Sequence, residues 1–144
     1  MSPVPQLEDH RGPRAMLEEF ITTFGPPNDP AFWQKLVNEE FREVTDAAQH
    51  LLKELADFAY VMQGYLNAGG DPLDLTLPEG TLNDRLFTRL LDAFGAETAR
   101  EAFREVHRNN MSKVQPDGTV KRREDGKVLK PEGYVPVDLT RLVI

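Results

Sequence analysis

From Ala31 to Gln63 the chain runs without a glycine or a proline and is dense in helix formers. Such a run predicts helix from Ala31 to about Leu66. Its boundaries are marked. Gly25-Pro26-Pro27-Asn28-Asp29-Pro30 interrupts the chain before it, and Gly69-Gly70-Asp71-Pro72 after it. Asp29 is placed to cap the helix, with Pro30 at the first helical position, where a missing N–H costs nothing. Any fold for this sequence must therefore be built around a long helical stretch and whatever covers its apolar side.

The flanking segments share the same period. Met16, Leu17, Phe20, Ile21 and Phe24 predict a helix from about Arg14 to Phe24. Residues 71–80 read as a loop. Thr81 is a candidate cap, with Asp84 three residues on, for a helix carrying Leu82, Leu86, Phe87, Leu90, Leu91 and Phe94. Ala99, Ala102, Phe103 and Val106 line one face of a last helix, Ala96 to Asn110. Residues 113–130 hold six basic and three acidic side chains, a local balance of +3. There Glu124-Asp125-Gly126 separates Thr119-Val120-Lys121 from Lys127-Val128-Leu129, the pattern of a short hairpin. The expected fold is all-α: an antiparallel helical bundle with a C-terminal basic loop or short hairpin. Residues 1–13, with three prolines, are expected to form a flexible arm, and residues 14–144 one domain.

Composition narrows the function. Lys and Arg number 17 and Asp and Glu 24, a net charge of −7, which argues against a nucleic-acid partner or a basic membrane-surface role. No apolar run is long enough to span a bilayer, and the first residues do not resemble a secretion signal. The sequence has no cysteine, so disulfide scaffolds, thiolate metal sites and thiol nucleophiles are excluded. The expected compartment is the cytoplasm.

The acids of the long stretch carry the chemistry. Glu39-Glu40-Phe41-Arg42-Glu43 and Glu54-Leu55-Ala56-Asp57 fall in its two halves. On a helical wheel Trp33, Val37, Phe41, Val44 and Ala48 form one apolar stripe, and Leu51, Leu55, Phe58, Met62 and Leu66 form another. Glu40, Glu43, Glu54 and Asp57 lie beside these stripes, not opposite them. Ionised carboxylates at such an edge need a compensating cation. The pair Glu43 and Glu54 and the pair Glu40 and Asp57 share one midpoint, between Ala48 and Gln49. A helical hairpin turning near Ala48-Gln49-His50, between Ala47 and Leu51, would bring all four together. In one unbroken helix Glu43 and Glu54 would stand about 16 Å apart. Four carboxylates from two facing helices make an oxygen cage suited to Mg²⁺ or Mn²⁺. The plainer reading is a solvated surface, with Lys35–Glu39 and Lys53–Asp57 as i, i+4 pairs. The edge position and shared midpoint together favour the cage.

At these residues the sequence resembles the MazG-like all-α nucleoside triphosphate pyrophosphohydrolases, whose pattern is Glu-Glu-x-x-Glu, a spacer, then Glu-x-x-Asp. Here the ten-residue spacer is shorter than the family's. The segment from Val106 through Asn110-Met111-Ser112-Lys113 to Tyr134 is similar to the phosphoribosyl-ATP pyrophosphohydrolase-like branch. The likeness extends over about residues 15–140. It implies Mg²⁺-dependent hydrolysis of a nucleoside triphosphate to monophosphate and pyrophosphate, with dUTP a candidate substrate in a house-cleaning role. It implies that Glu40, Glu43, Glu54 and Asp57 hold the metal, that Glu39 sits near the attacking water or a second ion, and that the chain works as a homodimer or homotetramer. Asn110 falls on the polar continuation of the Ala99-Phe103-Val106 stripe and reads equally as a helix end or a phosphate or sugar contact. Lys113 opens the basic stretch that would hold the phosphates. Lys127, Lys130 and Tyr134 join the substrate set through the resemblance alone. Lys121, Arg122 and Arg123 fit phosphate contacts or a solvated strand edge. Trp33 and Phe24 fit base stacking but fit core packing better. Phosphoribosyl-ATP hydrolysis and a non-catalytic nucleotide- or metal-binding module are the alternatives.

Overall fold

The computed structural model describes residues 11–77, 80–81 and 84–144, and side chains outside 76–85. Most of the arm expected over residues 1–13 and the expected helical position of Leu82 lie outside these residues. The fold is all-α. Helices α1 (Pro13–Phe24), α2 (Pro30–Asn67), α3 (Asp84–Phe94), α4 (Ala96–Met111) and α5 (Thr140–Val143) follow in order. A 3₁₀ turn at Pro72–Asp74 and the two-residue strands β1 (Thr76–Leu77) and β2 (Gly80–Thr81) lie between α2 and α3. β1 and β2 pair antiparallel, with Thr76 opposite Thr81. Thr81, expected as a cap, is thus a strand residue, and the helix begins three residues later. The chain divides into two compact units, one ending at Phe41 and one running from Arg42 to Ile144.

In the first unit the local signals act as their chemistry dictates. Gly25 takes the left-handed conformation at φ 60° and its N–H donates to the Ile21 carbonyl, closing α1. Asp29 Oδ1 accepts the Phe32 N–H at 3.0 Å, the expected cap of α2. α1 buries no residue. Phe20 and Phe24 pack on each other with ring centroids 4.9 Å apart, and Phe24 stays 71 % exposed. Trp33 is half-buried and donates from Nε1 to Asn28 Oδ1 at 3.2 Å. Neither aromatic ring is buried in a core.

The second unit has a small core. Leu52 and Ala56 of α2, Ala102 and Val106 of α4, and Leu139 form one buried cluster. Tyr60, Phe94, Val137, Leu142 and Val143 pack around it. Leu139 is fully buried, and its N–H donates to Gln49 Oε1 at 3.4 Å, which ties the C-terminal segment to α2. Tyr60 Oη and His107 Nδ1 share a hydrogen bond of 2.9 Å at the rim. Beyond α2, Tyr65 Oη donates to the Asp71 carbonyl at 2.9 Å and its ring covers Gly70, where a Cβ would stand 2.4 Å from the ring. A side chain at position 70 would require the Tyr65 ring to shift.

The expected hairpin over 119–129 is present. Leu129 N–H donates to Lys121 O at 2.8 Å and Arg123 N–H to Lys127 O at 2.7 Å. The turn closes with Gly126 N–H on Arg123 O at 2.9 Å, and Gly126 has φ 89°, which asks for glycine.

One expectation is overturned. α2 is a single helix of 38 residues and does not break between Ala47 and Leu51. Ala48, Gln49 and His50 offer no glycine, no proline and no cap to interrupt the i to i−4 ladder. Leu52, Leu55 and Ala56 are buried immediately afterwards, so the helix is anchored where the turn was expected. His50, expected at the turn, lies mid-helix.

Candidate functional site

The continuous helix sets the geometry of the acids. Glu43 and Glu54 are eleven residues apart on α2, about 16 Å along its axis. The four-carboxylate cage therefore does not form within one chain. Among the described residues no three His, Asp or Glu side chains stand close enough to share a metal ion. What remains is two separate groups of acids along one helix. Glu39 and Glu40 are exposed in the first unit, and Glu43 is exposed in the second.

Glu54 and Asp57 share a turn of α2 and already hold a cation. Lys53 Nζ lies 2.8 Å from Asp57 Oδ2 and 3.6 Å from Glu54 Oε1. His50 Nε2 is 3.9 Å from the same Glu54 oxygen. The Lys53 ammonium is held above its ordinary pKa, first by the hydrogen bond to Asp57 and then by the charges of Asp57 and Glu54, against the opposing effect of burial. A metal ion would have to displace this ammonium or share the carboxylates with it.

The far end of the expected site gathers in part. At the end of α4, Lys113 Nζ donates to Asn110 Oδ1 at 3.0 Å, so these two predicted substrate residues are in contact. The cap itself is Ser112, whose N–H reaches back to the Arg108 and Asn109 carbonyls. Lys130 Nζ lies 5.2 Å from the centroid of the Tyr134 ring, which pairs two others. Lys127 is exposed beyond the hairpin turn, its N–H held by Asp125 Oδ1 at 3.1 Å. Arg123 is paired with Asp125 inside the same turn, with Arg123 Nε 3.0 Å from Asp125 Oδ1. That pairing depresses the Asp125 pKa and raises that of Arg123. Arg123 is thus spent on the turn.

Sequence reasoning passed over Asn109. Its Nδ2 donates to the Val135 carbonyl at 2.7 Å, and its Oδ1 accepts the Tyr134 hydroxyl. These bonds hold residues 134–135 against α4. A cleft of about 650 Å³ opens there, lined among others by Glu105, Arg108, Asn109, Ser112, Tyr134 and Val135. Its size is that of a small-molecule site. Glu105 on its wall accepts from both Arg108 and Arg141. No local signal marks Asn109, because both its partners lie some 25 residues away in the chain.

Set against protein family models, curated proteins and solved structures, the chain matches none. Among the described residues no helix is long and apolar enough to cross a membrane.

Proposed function

We propose that the protein is a Mg²⁺-dependent nucleoside triphosphate pyrophosphohydrolase that releases pyrophosphate and a nucleoside monophosphate. The observation that carries this reading is the paired acidic motif, Glu39-Glu40-x-x-Glu43 and Glu54-x-x-Asp57, on one helix. The i, i+3 spacing makes each pair a two-oxygen-donor half-site on one helical face. Oxygen donors suit Mg²⁺ or Mn²⁺. A magnesium ion, when bound, supplies charge neutralisation of the phosphates and a water of lowered pKa. Each of the pairs Glu40 and Glu43, and Glu54 and Asp57, would hold an ion in part, and Glu39 would orient or deprotonate water.

The chain's own basic groups take the phosphate end. Lys113, positioned by Asn110, offers the point charge that suits a phosphate oxygen. Lys127 and Lys130 lie further along the same basic stretch, and Tyr134 lines the cleft beside α4. The net charge of −7 argues for a small anion neutralised by metal and against a polyanion as substrate. A deoxynucleotide such as dUTP, removed from the nucleotide pool in the cytoplasm, is the substrate we put first, ahead of phosphoribosyl-ATP. Incubation with a nucleotide panel and Mg²⁺, read as pyrophosphate released, tests the proposal. Pyrophosphate from one or a few triphosphates supports it, and none from any of them refutes it.

A second reading draws on Lys53. With its ammonium on Asp57 and Glu54, the second motif is a satisfied surface ion-pair group. That favours a helical interaction module without turnover. Nucleotide binding without pyrophosphate release would select it.

A further inference from the structure

We propose that the second unit holds a site for a medium-chain fatty acid, whose alkyl chain lies in two adjoining apolar cavities along α2 and whose carboxylate pairs with Arg100. The inference is independent of the pyrophosphohydrolase reading.

The first cavity, about 230 Å³, opens between α2, α3 and α4, against Leu52, Ala56, Leu91, Ala99 and Phe103. The second, about 320 Å³, opens further along α2, against Phe58, Met62, Leu66 and Pro72. Ala59 and Phe87 line both, so the two meet there. From Leu52 to Leu66 the lining runs about 21 Å along the helix. Protein interiors are packed like organic crystals, and a gap among apolar side chains forfeits their dispersion contacts. Such a gap stays dry and accepts an apolar guest. Two cavities in succession along one helix suit a flexible chain better than a rigid ring system.

Neither cavity belongs to the sites described above. At 100° per residue, Glu54 and Asp57 fall on the opposite side of α2 from Leu52, Ala56 and Ala59. The cleft beside Tyr134 draws on Glu105, Arg108, Asn109 and Ser112 of α4 and shares no residue with either cavity.

The head group follows from charge. Among the described residues Arg100 is the one charged side chain lining either cavity. It is exposed, and no carboxylate among the described residues pairs with it. Arg104, one turn on, is taken by Glu101 at 2.5 Å. A lone guanidinium matches the single charge of a carboxylate, which its fork receives through two parallel hydrogen bonds. A phosphate monoester, nearer two charges at neutral pH, would lack a second cation. In the second cavity the polar side chain, Gln63, donates to Asn67 Oδ1 at 2.9 Å. That cavity therefore takes the chain and not the head.

Calorimetric titration of the full chain with decanoate, below its micelle-forming concentration, tests the proposal. Decanoate should bind about tenfold more tightly than octanoate, because two further methylenes are buried. Decylammonium, with the same chain and the opposite charge, should bind about tenfold more weakly than decanoate. Arg100→Glu should reverse that order without unfolding the protein, since the residue is exposed. Ala59→Leu, which sets a branched side chain where the cavities meet, should weaken decanoate about tenfold. It should also hold or raise the melting temperature of the ligand-free protein, as cavity filling does. No binding of decanoate, equal binding of decanoate and decylammonium, or an Arg100→Glu protein that still prefers decanoate would each overturn the proposal. A folded Ala59→Leu protein with wild-type affinity would put the chain elsewhere and overturn it too. If Ala59→Leu does not fold, the reversal in Arg100→Glu decides.

Discussion

Lys53 Nζ sits 2.8 Å from Asp57 Oδ2, one turn away along α2, and 3.6 Å from Glu54 Oε1. The motif assigned to a metal ion therefore comes with its own counter-charge. Removing it should separate two roles. Lys53→Met should cost only about 0.3–0.5 kcal/mol at neutral pH, because the pair is partly exposed and screened. Its pKa is raised in the folded state, so the contribution is fully present below the ordinary value of 10.5 and is lost as pH rises through the folded value. The wild type should thus lose slightly more stability than Lys53→Met as pH rises above the ordinary lysine value of 10.5. Mg²⁺ should bind the variant more tightly, since the competing ammonium is gone. Calorimetric titration with Mg²⁺ checks this, and weaker binding would make Lys53 part of the site.

The carboxylates should behave as a cluster. Glu40→Gln, Glu43→Gln, Glu54→Gln or Asp57→Asn should each abolish Mg²⁺-dependent pyrophosphate release. Stability without metal should hold or rise for Glu40→Gln and Glu43→Gln, because like charge is relieved. Metal-induced stabilisation should shrink in all four by mass action. Thermal melts with and without Mg²⁺ provide the comparison, and wild-type activity in all four would remove them from the site.

Lys113 should discriminate substrate from product. Lys113→Ala should weaken the triphosphate more than the monophosphate while leaving Mg²⁺ bound, because on the proposed function the donor would face phosphates that only the substrate carries. Steady-state kinetics and product inhibition decide it. Equal losses for the two ligands would place Lys113 away from the β and γ phosphates.

Leu139 is fully buried at the centre of the small core. Leu139→Ala should cost about 2–5 kcal/mol through lost transfer energy and the cavity left behind. Ile144→Ala, at an 80 % exposed site, should stay within about 0.5 kcal/mol of wild type. Urea unfolding of the two variants provides the contrast.

Asn109 joins α4 to residues 134–135 through two side-chain hydrogen bonds. Asn109→Ala should cost about 1–2 kcal/mol and speed hydrogen exchange across 131–137. Unchanged exchange there would show that the segment is held by Leu139 and Val137 alone.

The elements of this fold were largely legible in the sequence because their causes are local. Gly25, Asp29 with Pro30, and Gly126 each act within four residues, through a left-handed conformation or a short hydrogen bond. The period of three and four in α3 and α4 likewise needs no partner to be read. The same local chemistry also contained the answer that the hairpin expectation missed. Ala48-Gln49-His50 holds nothing that stops a helix, and the shared midpoint of the acids expresses a demand for proximity without supplying a turn.

The sequence by itself determined α1, α3, α4 and the helical character of residues 31–66, the hairpin over 119–129 and the i, i+3 spacing of the four acids. Only the tertiary structure decided which faces are spent. It put Leu52, Ala56, Ala102, Val106 and Leu139 together, gave Lys53 to Asp57 and Glu54, and set Asn109 to hold Tyr134 and Val135. Helix propensity sums over neighbours, whereas burial and pairing depend on residues up to 90 positions apart, as between Gln49 and Leu139. Val44, Leu51 and Val61 remain exposed after that packing, because no element of the described chain takes them out of water.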